Sequence, residues 1–414
     1  MSICMAGIDW KRADMDKREA FSFTQNQVER LCRRIAQLDG VSGCVLLSTC
    51  NRTELYLSGK GNLQPAEILC GMADAPAAAA LFDTRRGDDT ARHLMRVSCG
   101  LCSQILGEDQ IVSQVKRAYR IAHEADCADA VLSQLFRLAA TAGKRSRTQV
   151  RLSAAPLSVA GQAVELICRS MGELRGRRAL VIGNGEMGRL ASSLLVSQGC
   201  DVTVTLRSYH HGQTIVPAGC RTIAYDDRMS LVGSCDILLS ATTSPHFTVT
   251  YDDIAQLHHV PAVVCDLSMP RDIEPAVRTL SGVTFFDMDS MGGRDVHVNA
   301  DDRRQVEDII DEEMAELTRW RAYRAALPMM DELCELTAER VATGYDFAVL
   351  CDGEDSATTE KMEAAARLAA EKTARLLLSG LQGEWADGAL ETCRDAILRK
   401  APQLQTRKRD RRTV

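Results

Sequence analysis

Several features are missing from this chain of 414 residues, and each absence excludes something. No window approaches the roughly 18 uninterrupted apolar residues of a membrane-spanning helix, so no spanning segment is expected. The first 25 residues carry charges throughout and hold no apolar core of signal-peptide length, which predicts a cytoplasmic protein. Neither an internal repeat nor an extended low-complexity tract is present, which sets aside repeat arrays and long linkers. Cys99-Gly100-Leu101-Cys102 forms a CxxC, but no second CxxC accompanies it. Half of a zinc site and a redox pair remain alternatives there, although two packed thiols are the simpler expectation, and no metal is assigned.

What is present fits an ordinary globular protein long enough for two or three domains: 45% hydrophobic and 26% charged residues. The 16 cysteines are scattered through apolar runs, as at Cys4, Cys32, Cys44, Cys168 and Cys265, and read as reduced core thiols. Net charge is −6, from 50 basic and 56 acidic residues, which does not suggest a chain coated in nucleic acid. Residues 130–151 nevertheless hold Arg137, Lys144, Arg145, Arg147 and Arg151 with no acid. That run is equally consistent with a face for phosphates and with a solvated helix end.

Pattern divides the chain further. In residues 1–150, Cys44 to Ser48 and Glu54 to Ser58 read as strands flanking a polar cluster. Val28, Leu31, Cys32, Ile35 and Leu38 place an amphipathic helix on residues 25–38, and a second begins near Gln110 with Ile111, Val115 and Ala118 on one face. From about Leu152 to Asp289, short apolar runs (ALVIG, CDVTVTL, CDILLSAT, AVVCDLS, VTFFDMD) alternate with helical or loop stretches, the signature of a covered parallel sheet. Beyond Asp301 a stripe of Val306, Ile309, Ile310, Met314, Leu317 and Trp320 predicts a long helix that Pro328 interrupts. A further helix on about residues 359–378 has a continuous Ala/Leu face, as oligomerisation elements often do.

Leu180-Val181-Ile182-Gly183-Asn184-Gly185-Glu186-Met187-Gly188 reads as strand, Gly-x-Gly-x-x-Gly turn, then helix. In that context the triplet points to a dinucleotide pyrophosphate at a helix N-terminus, held by Gly183, Asn184, Gly185, Glu186, Met187 and Gly188. The next strand ends at Arg207-Ser208, where a ribose 2′-phosphate is better met by arginine than by an acid, so NADPH is favoured over NADH. Arg207 as a solvated strand end is the alternative.

The stretch LLSTCNRTEL puts a thiol, Cys50, and a guanidinium, Arg52, at the end of an apolar strand. A nicotinamide domain beside a cysteine nucleophile suggests reduction through a thioester. Further motifs stand in order: Gly7-Ile8-Asp9 through Arg18-Glu19-Ala20-Phe21, His93-Leu94-Met95-Arg96-Val97, Ser103-Gln104-Ile105-Leu106-Gly107-Glu108-Asp109-Gln110, Gly143-Lys144-Arg145-Ser146-Arg147-Thr148, and Pro270-Arg271-Asp272-Ile273-Glu274-Pro275. With these the chain resembles glutamyl-tRNA reductase along nearly its whole length.

The resemblance implies an α/β multidomain fold. Residues 1–150 would be an N-terminal α+β catalytic and glutamate-recognition domain, and 151–290 a Rossmann-like NADP-binding domain. A long connecting helix would follow in 291–326, an all-helical dimerisation domain in 327–400, and a basic, disordered tail in 401–414. It implies that Cys50 attacks the ester joining glutamate to its tRNA, and that NADPH reduces the resulting thioester to glutamate-1-semialdehyde, a tetrapyrrole precursor. Thr49, Asn51, Arg52, Ser103, Glu108, Asp109, Gln110 and Gln114 would line the substrate pocket. Arg52 suits the free carboxylate and Glu108 the ammonium. His93 would sit near Cys50 and hold or transfer a proton, against the alternative of a satisfied, partly buried histidine. Expected partners are glutamyl-tRNA, a second copy of the chain, and a downstream aminomutase that takes the aldehyde.

Two stretches depart from the family pattern: the CxxC, and Tyr209-His210-His211-Gly212-Gln213, where a helix is expected and the residues look irregular. Competing readings are a shikimate-dehydrogenase-like oxidoreductase acting on a free small molecule and a non-catalytic tRNA-binding relative. The first leaves the Cys50 motif unexplained; the second leaves intact chemistry without a use.

Overall fold

The run SICMAGID forms β1 (Ser2–Asp9), buried along nearly its whole length. The structure, a computed structural model, describes residues 2–103, 110–150, 158–207, 215–291, 300–380 and 388–399. Two units divide the chain, Met1–Glu313 and Met314–Val414.

In the first unit, β1 leads into the short helix α1 (Met15–Glu19) and then α2 (Gln25–Ile35), whose Thr24 and Gln27 form a capping box. The apolar face expected on α2 is buried at Val28, Leu31, Cys32 and Ile35, but Leu38 lies beyond the helix and is exposed. A hairpin follows, β2 (Val41–Ser48) and β3 (Arg52–Gly59), then α3 (Pro65–Met72), β4 (Asp83–Arg86), α4 (Asp88–Ser98), α5 (Ile111–Glu124) and α6 (Ala130–Gln149). The four strands make an antiparallel sheet in the order β2-β3-β1-β4. Asp9 pairs with Arg52, so the hairpin turn and the end of β1 lie at one edge of this sheet. The α5 and α6 helices pack against β2 and β3, so β3 has protein on both faces and is buried throughout.

A second layered region begins with α7 (Val159–Met171). It continues through β5 (Arg178–Ile182), α8 (Glu186–Ser197), β6 (Asp201–Leu206), β7 (Arg221–Ala224), α9 (Met229–Val232), β8 (Ile237–Ser240), α10 (Tyr251–Ala255), β9 (Val263–Asp266) and β10 (Thr284–Phe286). All six strands are parallel, in the order β10-β9-β8-β5-β6-β7. Counted from β5 this is the 3-2-1-4-5-6 order of a dinucleotide-binding sheet, with its switch point between β5 and β8. The five apolar runs read from the sequence all become strands. The strand missed is β7, whose exposed Arg221 and Thr222 make it a polar edge. No helix joins β6 to β7 among the described residues; residues 208–214, which include the irregular stretch and Ser208, lie outside them.

The helix α11 (Ala300–Ala342) does not stop at Pro328, contrary to expectation. Proline removes one backbone donor and crowds the preceding turn, but buried Met330, Leu333 and Cys334 anchor the turns that follow. The division between the two units falls inside this helix. In the second unit, α12 (Tyr345–Leu350), α13 (Ser356–Gly380) and α14 (Ala389–Arg399) complete an all-helical set. Its small core is Met330, Leu333 and Leu390, with Leu378 and Ile397 packed on it. The basic tail, 401–414, lies outside the described residues.

Candidate active site

The turn between β2 and β3 is only three residues, Thr49, Cys50 and Asn51. It is closed by Thr49, whose backbone N–H donates to Arg52 O (2.9 Å) and whose Oγ1 accepts from the N–H groups of Asn51 (3.3 Å) and Arg52 (3.2 Å). Such hydroxyl-to-backbone bonds fix a tight loop. Cys50 is thereby held half-buried at the tip of a rigid hairpin, in no disulfide. Asn51 is buried, and its Oδ1 has no partner among the described residues.

Alternation along β3 places Arg52, Glu54 and Tyr56 on one face. That face is enclosed, so the charges must satisfy one another. Glu54 Oε1 accepts from Arg52 Nη1 (2.9 Å) and pairs with His93 Nε2 (2.9 Å), while Glu54 Oε2 accepts from Tyr56 Oη (2.6 Å). Burial would push the Glu54 carboxyl up, but the charges of His93 and Arg52 outweigh it and hold the group well below the usual carboxylate range. Arg52 Nη2 also donates to the Cys102 carbonyl. Arg52, expected to receive a substrate carboxylate, is thus 3% exposed with both terminal nitrogens engaged. Glu54, which the sequence reading passed over as the edge of a strand, is the hub that joins His93 to the Cys50 turn. Its signal was period-two spacing of Arg52, Glu54 and Tyr56 within a run too apolar to be solvated.

The other expected substrate residues are less gathered. Ser103 is buried with its Oγ unpartnered among the described residues, beside Cys102. Gln110 and Gln114 open α5, both half-buried, and the structure does not bring them into the Arg52–Glu54–His93 network. Glu108 and Asp109 lie outside the described residues. Cys99 and Cys102 form no disulfide, and no group of three metal-ligating side chains exists among the described residues. Burial pushes Cys99 up to about 12, as expected of an inert packed thiol.

The glycine turn follows β5. Gly183 has φ +107°, and a Cβ on it would lie 2.4 Å from Ala241 O; a Cβ on Gly188 would lie 2.0 Å from Gly183 O. Both positions require glycine. A Cβ on Gly185 would meet nothing within 4 Å, so open space lies there, over the N-terminus of α8, which has no side-chain cap. Asn184 Oδ1, buried in the same turn, lacks a partner among the described residues. Free helix N–H groups and open space fit a bound pyrophosphate, whereas the Asn184 oxygen, an acceptor, would need a donor such as a ribose hydroxyl. Glu186 is exposed in the first turn of α8, and Met187 packs on the core beneath. Arg207 ends β6 with its guanidinium 4.5 Å from the Tyr225 ring centroid, and Arg228 lies 4.2 Å from the same centroid. Arg228 was not anticipated from sequence.

The two regions meet at Cys50. A cavity of about 10 Å3 is lined by Ile8, Arg18, Thr49, Cys50, Arg52 and Met269, the last from the loop after β9. Cys50, Met187 and Met269 pack against one apolar cluster that includes Met15, Val181 and Met291. Asp266 shapes that loop by accepting from the N–H groups of Ser268 (3.0 Å), Asp272 (2.9 Å) and Ile273 (2.8 Å). Burial, then neighbouring Asp272, push the Asp266 carboxyl up to about 8.

Comparison with known proteins agrees with this division. Residues 6–150 match the family model "Glutamyl-tRNAGlu reductase, N-terminal domain", and residues 165–293 match "Shikimate / quinate 5-dehydrogenase". The chain is 41% identical over 332 residues to the glutamyl-tRNA reductase of Acetivibrio thermocellus, a match covering 79% of this chain and 99% of that one. It is 41% identical over 329 residues to the probable multifunctional siroheme biosynthesis protein HemA of Ruminiclostridium josui, covering 78% of this chain and 64% of that protein's length. Among solved structures, glutamyl-tRNA reductase from Methanopyrus kandleri is 27% identical, with 96% of this chain and 98% of that chain covered, at a TM-score of 0.43.

Proposed function

The chain belongs to the glutamyl-tRNA reductase family, and on that premise we propose that it reduces glutamyl-tRNA to glutamate-1-semialdehyde through a thioester on Cys50, supplying tetrapyrrole synthesis. The observation that carries this reading is the placement of Cys50 at a rigid hairpin tip directly against a loop from the carboxyl edge of the cofactor sheet. The Cys50 thiol gives up its proton, and the thiolate attacks the carbonyl carbon of the glutamyl ester. A C–S bond forms, the C–O bond to the tRNA breaks, and the tRNA leaves with a hydroxyl after taking a proton. NADPH, when bound, would supply the hydride for the thioester carbonyl; the C–S bond then breaks, the aldehyde leaves, and the Cys50 thiolate takes up a proton. Glu54 fixes His93 through Nε2, and the movement of the proton between thiol and leaving oxygen is assigned to that imidazole. Thr49, Asn51, Arg52, Ser103, Glu108, Asp109, Gln110 and Gln114 are assigned to the glutamyl group.

NADP rather than NAD is favoured by Arg207, just after β6, whose guanidinium suits a 2′-phosphate; Arg228, on the same Tyr225 ring, donates to the carbonyls of Tyr225 and Thr248 instead. The turn from Gly183 to Gly188 would hold the pyrophosphate. For the tRNA, Lys144 of α6 and Lys116 of α5 are both exposed and close enough that Lys144, after burial, holds the Lys116 ammonium below its usual value. Crowded cations of this kind are relieved by phosphate. Arg145 of the same basic run is spent on Glu312 (2.5 Å) and Glu313 (2.9 Å). The second unit is assigned to homodimer formation, and the aldehyde to transfer toward an aminomutase. No described helix is long and apolar enough to cross a membrane, in keeping with action in the cytoplasm.

A second reading follows from the match of residues 165–293 to the shikimate and quinate dehydrogenase model: an oxidoreductase acting on a free small molecule. Ribonuclease separates the two, since it abolishes turnover only if the substrate is carried on tRNA. The primary test is intact-mass analysis of protein incubated with glutamyl-tRNA without NADPH. A glutamyl adduct is expected on the wild type and none on Cys50→Ser, whose alcohol is a poor nucleophile at neutral pH. Aldehyde formation by Cys50→Ser at the wild-type rate would overturn the thioester mechanism.

A further inference from the structure

Two of the motifs that mark the family have no part in the chemistry above: Arg18-Glu19 near the start and Pro270-Arg271 some 250 residues later. In the structure they touch. Arg271 is buried, and its charge is met by α1: its backbone N–H donates to Glu19 Oε1 (2.7 Å), Nη2 to Asp16 Oδ1 (2.5 Å), and Nη1 lies 3.5 Å from Glu19 Oε2. In the reverse direction, Asp289 of the cofactor region accepts from the Met15 N–H (2.9 Å) and from Arg18 Nη2. Arg18, itself buried, donates to the carbonyl of Cys50 (3.1 Å) and of Ala13 (3.1 Å). Three residues of α1, Asp16, Arg18 and Glu19, thus exchange ion pairs with two separate segments of the cofactor region, and Arg18 is also bonded to the backbone of the nucleophile. The loop that carries Arg271 also carries Met269, which lines the Cys50 cavity.

We propose that α1 is a clasp between the catalytic and cofactor regions, and that Arg271 is a positioning residue that holds the acylated Cys50 at the carboxyl edge of the cofactor sheet for reduction. The inference rests on the thioester reading above. Its physical basis is the cost of a buried guanidinium without its carboxylates, which favours the closed arrangement as long as Asp16 and Glu19 are in place. Acylation needs only the hairpin turn and the ester, whereas reduction also needs the cofactor region held against Cys50, where the clasp acts. Weakening the clasp should spare the first step and slow the second.

The test uses full-length Arg271→Met and, in case that variant fails to fold, Glu19→Gln, whose side chain is at the surface end of the pair. Three quantities are measured: the rate of glutamyl-adduct formation without NADPH, the rate of adduct loss when NADPH is added, and hydrogen exchange of the α1 backbone in the protein alone. We expect adduct formation within about twofold of wild type, adduct reduction slowed by about tenfold or more, and faster exchange across α1, because small misplacements of reacting groups are costly. Reduction at the wild-type rate, or an equal fall in both steps, would overturn the proposal, as would unchanged α1 exchange. Failure of the underlying reading shows differently, as a wild-type protein that never forms an adduct while α1 exchange still separates variant from wild type.

Discussion

Glu54 holds a guanidinium, an imidazole and a phenol in a strand with no solvent on either face. Removing a carboxylate from such a network leaves Arg52 charged and unpaired in a low-dielectric interior, which is worse than never having built the pair. Glu54→Gln is therefore expected to lower stability by about 3–5 kcal/mol, read from the urea midpoint, and to cut turnover in the fraction that folds because His93 loses its orienting partner. The pH dependence has a definite sign. The folded-state Glu54 carboxyl lies below its unfolded value, so its contribution is complete above the ordinary carboxylate range and is lost as pH falls through the depressed folded value. Wild type should accordingly lose stability in acid more steeply than Glu54→Gln, and parallel curves would remove Glu54 from its place as the hub. At this scale the sequence was half legible. Cys50, Arg52 and His93 announce themselves by type, whereas Glu54 matters only because α4 brings His93 to the same face, a contact between residues 39 apart.

Elements show a similar split between local and distant information. The five apolar runs of the cofactor sheet could be read one by one, since parallel strands buried on both faces are continuous in hydrophobicity. Edge strand β7, with exposed Arg221, Thr222 and Ala224, carries no such signal. Pro328 misled because a helix is broken by proline only where nothing beyond it holds the next turn, and Met330, Leu333 and Cys334 do. The glycine turn was the most legible element, since its constraint is local. A methyl group on Gly188 would sit 2.0 Å from the carbonyl of Gly183, so helix α8 would have to withdraw from the end of β5. Gly188→Ala is expected to weaken NADPH binding at least about tenfold, by titration of nicotinamide fluorescence, while adduct formation from glutamyl-tRNA without NADPH persists. Unaltered NADPH affinity would mean that the pyrophosphate does not lie on this turn.

For the whole molecule, the apolar surface of the second unit raises the question that its own core leaves unanswered. The 25-residue helix α13 has no fully buried residue, although Leu368, Leu376 and Leu377 are 52%, 73% and 67% exposed. A groove of about 550 Å3 runs beside it, lined by Leu333, Val341, Ala370, Ala374, Leu377 and Ile397, almost without polar atoms. A helix that buries so little against its own chain is poorly stabilised alone, because most helical stability in proteins comes from tertiary packing. A contiguous apolar face of this kind marks an interface. A second copy of the chain is the occupant that the homodimer reading supplies, and an isologous pairing would set each α13 against the other's groove. Leu377→Glu puts a charge in that contact without touching the cluster of Met330, Leu333 and Leu390 that holds the unit together. By sedimentation, wild type is expected to run as a dimer and Leu377→Glu as a monomer whose Cys50 still forms the glutamyl adduct, since the hairpin turn belongs to the other unit. A variant that remains dimeric would move the interface off this groove, and the exposed leucines would then need another partner.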